Sequence, residues 1–122
     1  AGLGLDIGIA PLVDNAFNRG KSNLRWLEYS ALGIPCVASN VGHFAETIAH
    51  GEDGFLADDA EAFYNFLSNL IQNRKLRCAM GARAADRIRR DFSTDVVTSY
   101  YVSCLREVIA KKQQEAPAEV IA

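Results

Sequence analysis

Apolar residues recur along this chain in two rhythms. From Leu5 to Leu12 they run almost unbroken, with small residues between them and Pro11 near the close, which predicts a short buried strand. Asp14 to Asn23, reading DNAFNRGKSN, turns polar, and its Gly20 and asparagines predict a shaped surface loop. A helix is predicted over about 23–32, with Ser22 or Asn23 as cap and Gly33 followed by Pro35 as stop. Ile34 to Ala38 is a second strand, Ser39 to Gly42 a turn, Phe44 to Ala49 a short helix ending near Gly51, and Gly54 to Ala57 a third strand. Asp58 with Glu61 resembles a capping box. It precedes a helix from about Asp59 to Gln72, whose Phe63, Phe66, Leu67, Leu70 and Ile71 recur at helical spacing. Two more helices follow, Arg74 to Arg90 and Thr94 to Lys112, divided at Phe92-Ser93. The last carries Val97, Tyr100, Tyr101, Cys104 and Val108 on one side. The apolar period is lost after Ile109, so a domain over 1–112 with a frayed tail over 113–122 is expected.

Alternating strands and helices imply an α/β fold: a Rossmann-like parallel sheet flanked by helices, with right-handed crossovers. Three or so short strands are few for such a sheet, where about four to six are usual. The chain also opens on an apolar run with no Met and no charged leader ahead of it. Together these features suggest a piece of a longer α/β protein. Absent strands would leave an unpaired sheet edge, and self-association through that edge or the apolar face beside it is expected.

Composition narrows the partners. Apolar residues are 49% and charged residues 23% of the 122, as in a globular domain. The net charge is −2, so no global basic excess points to nucleic acid. The longest apolar run falls far below the ~20 residues of a membrane-spanning helix. Cys36, Cys78 and Cys104 lack paired or metal-type spacing, which favours small apolar packing groups in a reducing, cytoplasmic setting over a disulfide framework or a metal site. The helix over 74–90 is locally basic, with Arg74, Lys75, Arg77, Arg83, Arg87, Arg89 and Arg90 opposed by Asp86. Without interleaved aromatics this reads as a solvated face rather than an RNA- or lipid-binding one.

Chemistry concentrates where the first strand ends. In open parallel sheets, ligands sit beyond the carboxyl ends of the strands. There Lys21 and Ser22 stand just ahead of the helix at Asn23, whose N–H groups and dipole favour an anion. The site reads as a phosphate cradle. It is not a P-loop, because the residue six before Lys21 is Asn15. At roughly 100° per residue, Glu28 falls inside the stripe made by Leu24, Leu27, Ala31 and Leu32, with Trp26 on the opposite side. A carboxylate buried in that stripe needs a partner, since leaving it unpaired costs several kcal/mol. Ribose hydroxyls of a nucleotide fit, and so does a salt bridge within the fold. His43 reads as lining a helix start or contacting a ligand, and His50 as solvent-exposed.

These blocks resemble, in order, the C-terminal, donor-binding half of GT-B glycosyltransferases, in particular the retaining family four, or group 1. DIGIAP at Asp6–Pro11 is similar to the strand before the donor loop, and KSNLRWLE at Lys21–Glu28 to the end of the E-x7-E segment. ALGIPCVAS at Ala31–Ser39, Val41-Gly42 with Glu46, and GEDGFL at Gly51–Leu56 resemble the segments that follow. The resemblance implies a partial GT-B C-terminal lobe with C-terminal helices. It belongs to an enzyme that moves a sugar from a nucleoside diphosphate sugar to an acceptor, with retention and with no metal or other cofactor. It implies nucleotide-sugar contacts from Lys21, Ser22, Asn23, Leu24, Glu28, Gly42 and His43, with Glu28 on the ribose. No catalytic residue is expected in this chain, and an N-terminal acceptor domain is the expected missing partner. The chain alone is expected to be inactive. The full enzyme is expected in the cytoplasm, with peripheral contact at the inner face of a membrane as one arrangement. Two positions depart from the pattern: Gly20 stands where the first acid would be, with Asp14 or Asn15 as nearby substitutes, and His43 stands where the second glycine would be. Gly20 is also what a non-catalytic interaction module of the same fold would carry.

Overall fold

A computed structural model describes residues 4–116. In chain order the elements are β1 (Gly8–Ala10), α1 (Ala16–Arg19), α2 (Leu24–Ala31), β2 (Cys36–Ser39), α3 (Gly42–Thr47), β3 (Phe55–Ala57), α4 (Ala60–Gln72), α5 (Arg74–Asp91) and α6 (Thr94–Glu115). The three strands form one parallel sheet with β2 in the centre, Gly8 pairing with Cys36 and Val37 with Phe55. This is the α/β, Rossmann-like arrangement that the alternating pattern predicts. Among the described residues β1 pairs with β2 alone.

The chain divides into two compact units at Arg89 and Arg90. In the first, β2 is buried along its whole length, and Val37 anchors a core with Phe55, Ala57, Leu70 and Met80. Phe63, Phe66 and Leu67 of α4 pack against that core as their spacing predicts, but Ile71 is exposed. The rings of Phe55 and Phe66 stack at 4.5 Å. His50 sets its edge against both, while its Nδ1 accepts the Leu56 N–H at 3.0 Å. His50 is therefore exposed, as expected, yet it also braces the turn into β3.

Several expectations shift by local chemistry. The stretch 14–23 is not loop throughout: Asn15 caps α1 by accepting the Asn18 N–H at 2.8 Å, which winds one helical turn. Asp59, not Asp58, caps α4 through the Ala62 N–H, and Asp58 instead accepts from Asn40. Cys36 is buried, which pushes its thiol up to about 12, but Cys78 is exposed and Cys104 half-buried, so only Cys36 packs as an apolar group.

The basic helix α5 is likewise more than a solvated face. Arg77 donates to the Leu70 and Ile71 carbonyls at 2.8 and 3.0 Å, closing the C-terminus of α4. Arg83 donates to the Glu52 carbonyl at 2.7 Å, and Arg87 pairs with the buried Asp53. Asp53 also accepts the Ala49 N–H at 2.8 Å. Its carbonyl receives the indole N–H of Trp26, 3.2 Å away, and the Arg87 guanidinium lies over the indole at 5.4 Å.

Trp26 is fully buried with Ser30, so α2 turns the face opposite to the predicted one toward the core. Leu24 and Leu32, the expected inward stripe, are 55% and 75% exposed. The physical reason is size and polarity together. An indole removes more apolar area from water than a leucine, and its N–H finds an acceptor in the turn at Asp53.

In the second unit, Ser93 caps α6, which reaches Glu115, three residues past the expected domain end. Val97, Tyr100, Tyr101 and Val108 on it are exposed and Cys104 is half-buried. Residues 117–122 of the expected tail lie outside the described residues. No described helix is long and apolar enough to cross a membrane.

The Asp53 tie makes a stability claim. Asp53→Ala strands both Arg87 and the Ala49 N–H and should lower the unfolding free energy by about 3 kcal/mol. Asp53→Asn, which keeps an oxygen for Ala49, should cost less. Chemical denaturation of the two variants checks this; equal, sub-kcal losses contradict it.

Candidate functional site

The site begins with the crossover from β1 into α2. Pro11 ends the strand, Asp14 to Gly20 forms the short helical detour, and α2 returns antiparallel to β1 with its exposed face beside the strand. Gly8 makes that approach close: a Cβ there would sit 2.4 Å from the Tyr29 ring, so only glycine lets the ring lie on β1. The Tyr29 hydroxyl then donates to the Ile9 carbonyl at 3.4 Å.

A cleft of about 520 Å³ opens between these elements. Ile9 to Leu12 line one side, Lys21, Ser22, Leu24, Arg25, Glu28 and Tyr29 the other, and Phe44 of α3 contributes to its lining. Four of the seven expected contact residues thus meet in one place: Lys21, Ser22, Leu24 and Glu28. The Lys21 ammonium lies 4.9 Å over the Phe17 ring, a cation–π contact that leaves it at the surface. Asn23 occupies the cap position of α2 but does not cap it. Its amide donates instead to Thr47 Oγ1 at 2.9 Å, tying the start of α2 to α3. The first turn of α2 therefore receives no side-chain oxygen from Asn23, and its dipole end is left to whatever lies beside Ser22.

Glu28 departs from expectation. Its carboxylate is not buried in an apolar stripe: its side chain is 54% exposed and lies 3.8 Å from the Arg25 guanidinium. Because the burial of Trp26 sets the rotation of α2, Leu24 and Glu28 line a cleft rather than a core face, and Leu32 is exposed. No desolvation penalty demands a partner there, yet the cavity beside the carboxylate is real.

Gly42 and His43 lie outside the residues lining this cleft. Gly42 takes φ +55°, and a Cβ on it would stand 2.8 Å from the Arg19 carbonyl, so it serves the packing of α3 on α1. His43 Nδ1 pairs with Glu46 at 3.1 Å along the exposed face of α3. Asp14 lines a neighbouring cleft of about 460 Å³ at the ends of all three strands, together with Ser39, Asn40, Asp58 and Asp59. An ion pair with Arg19 at 2.6 Å engages its carboxylate, and the Arg19 hydrogen bond holds it below the usual carboxylate range. Asn15 is engaged as the α1 cap. Neither stands in for an acid at position 20 in the first cleft.

Sequence reasoning missed Arg25 and Tyr29. Part of the signal was present, because Arg25 and Glu28 stand at i and i+3 on α2, just after Lys21 and Ser22 of the loop. Reading the apolar stripe as core hid it.

A family model described as glycosyl transferases group 1 matches residues 4–73. The chain is similar to N-acetyl-alpha-D-glucosaminyl L-malate synthase of Bacillus anthracis, 29% identical over 85 residues that make up 68% of this chain and 22% of that protein. It is similar to the capsular polysaccharide biosynthesis glycosyltransferase CapM of Staphylococcus aureus, 29% identical over 87 residues, 66% of this chain and 23% of the relative. It also resembles the exopolysaccharide phosphotransferase SCO2592 of Streptomyces coelicolor, 33% identical over 89 residues, 70% of this chain and 9% of the relative. The chain spans less than a quarter of the length of these proteins.

Position 20 gives a contrast with position 42. Gly20 has ordinary helical angles, and a Cβ on it would meet nothing nearer than the Phe17 carbonyl at 3.5 Å. Gly20→Glu should therefore leave stability within about 0.5 kcal/mol of the wild type. Gly42→Ala should cost more than about 1 kcal/mol, from positive φ and the clash with Arg19. Thermal denaturation of both variants tests the pair; a destabilised Gly20→Glu or a neutral Gly42→Ala contradicts the geometry.

Proposed function

The chain belongs to the group 1 glycosyltransferases, and on that premise we propose that it forms the nucleotide-sugar-binding part of an enzyme that transfers a sugar from a nucleoside diphosphate sugar to an acceptor. The observation that carries the reading is the meeting of Lys21, Ser22 and Glu28 in one cleft at the carboxyl end of β1, beside a helix start that Asn23 does not cap. The ammonium, the hydroxyl and the first-turn N–H groups of α2 hold the diphosphate, and negative charge growing on the leaving group as the glycosidic bond breaks is stabilised in place. Glu28 accepts hydrogen bonds from the ribose hydroxyls. Its exposed pair with Arg25 is worth at most about 1 kcal/mol, so giving it up costs little. Leu24 and Tyr29 supply apolar contact on the same wall.

In this reading the reaction proceeds with retention and needs no metal. The acceptor-binding lobe belongs to the longer protein, which works in the cytoplasm or at the inner face of a membrane. Gly20 leaves the sugar end of the donor without an acid from this loop, and Asp14 is held by Arg19. That observation favours a second reading, a non-catalytic module of the same fold. Sugar transfer or donor hydrolysis by the whole protein separates the two.

Titrating the protein that carries this chain with UDP, GDP and ADP tests the site. Lys21→Ala and Glu28→Ala should each weaken the best-bound nucleotide about tenfold, the worth of one charge-assisted hydrogen bond. Unchanged affinity in both variants overturns the assignment.

A further inference from the structure

Resting on the nucleotide-sugar reading of the cleft, we propose that Arg25 is an additional donor-binding residue, one that exchanges Glu28 for a diphosphate oxygen when ligand enters. Arg25 lines the cleft together with Lys21, Ser22 and Glu28. It lies in the first turn of α2, one turn before Glu28 and four residues after Lys21 of the preceding loop, so two cations and a carboxylate line the same cleft. An anion seated at the start of α2 then lies within reach of both side chains.

The state of Arg25 differs from that of Arg19, Arg77, Arg83 and Arg87. Arg19 is held by Asp14 at 2.6 Å, Arg83 by the Glu52 carbonyl at 2.7 Å, and Arg77 by two carbonyls at 2.8 and 3.0 Å. Arg87 is locked to buried Asp53. Arg25 approaches Glu28 only to 3.8 Å, beyond hydrogen-bond length, with both side chains more than half exposed. That pair is a loose electrostatic contact. A guanidinium carries five donors in a planar fork that matches a phosphate, and a diphosphate offers more charge than one carboxylate. Ligand entry therefore moves the guanidinium toward phosphate and frees the Glu28 oxygens for ribose hydroxyls. The liganded site uses each group for the partner it fits.

The exchange gives opposite signs for two simple ligands. The probes are inorganic pyrophosphate and, for whichever of UDP, GDP or ADP binds best, that diphosphate and its free nucleoside, titrated into the protein that carries this chain. Arg25→Ala should weaken the diphosphate about tenfold and the nucleoside less than twofold. Arg25→Lys should recover part of the loss. Glu28→Gln should weaken the nucleoside but tighten pyrophosphate two- to threefold, a gain that is mostly lost when Arg25→Ala is added. If Lys21→Ala and Glu28→Ala weaken the diphosphate while Arg25→Ala binds it like the wild type, Arg25 has no such role and the site reading stands. If none of the three weakens it, the site reading fails, and this inference with it. Equal losses of nucleoside and diphosphate in Arg25→Ala also overturn the exchange, because they mark a merely structural role.

Discussion

The arrangement depends on how Trp26 is held. Its indole is fully buried, its N–H donates to the Asp53 carbonyl at 3.2 Å, and the Asp53 carboxylate is clamped by Arg87 and by the Ala49 N–H. A helix of eight residues cannot choose its orientation by propensity; it is set by which face finds the better burial. The largest side chain on α2, with a polar atom that needs an acceptor, decides that contest. Everything else on α2 follows by helical geometry. The residues turned away from the core are exposed, among them Leu24, Arg25, Glu28 and Leu32.

This explains how a surface helix can carry charge beside apolar residues without penalty. The face toward the core satisfies packing. The face toward β1 is left to form a cleft, with Tyr29 against Gly8 closing its base and Lys21 with Ser22 at its head. Asn23 joins the two roles, since its amide braces α2 against Thr47 and leaves the helix start uncapped. Packing and the cleft are thus assigned to different sides of one helix.

Much of the fold was legible from the chain. The β-α-β alternation, the breaks at Gly33-Pro35 and Phe92-Ser93, and the apolar spacing of α4 all carry local signals that tertiary packing did not override. The placing of Lys21 and Ser22 in a cleft at the end of the first strand was legible too, because their position after a strand and before a helix is a matter of order alone. The burial of Glu28 was misread. Periodicity marks an apolar stripe but does not say whether the stripe meets a core or borders a cleft, and Trp26 as the true anchor depends on a turn 27 residues away. The same distance in sequence hid the work of α5, whose arginines find carbonyls and Asp53 that no spacing rule connects to them. His43 and Gly42, which the motif places at the site, lie outside the lining of the first cleft, with His43 beside Glu46 and Gly42 close to Arg19.

The central claim is that the outward face of α2 and the end of β1 receive a nucleoside diphosphate. Its position in a crystal structure of the protein that carries this chain tests that most directly. The account expects a ribose hydroxyl within about 3 Å of a Glu28 oxygen and the diphosphate beside Lys21 and Ser22. A nucleotide seated elsewhere, with Glu28 still facing Arg25 across an empty cleft, would contradict it.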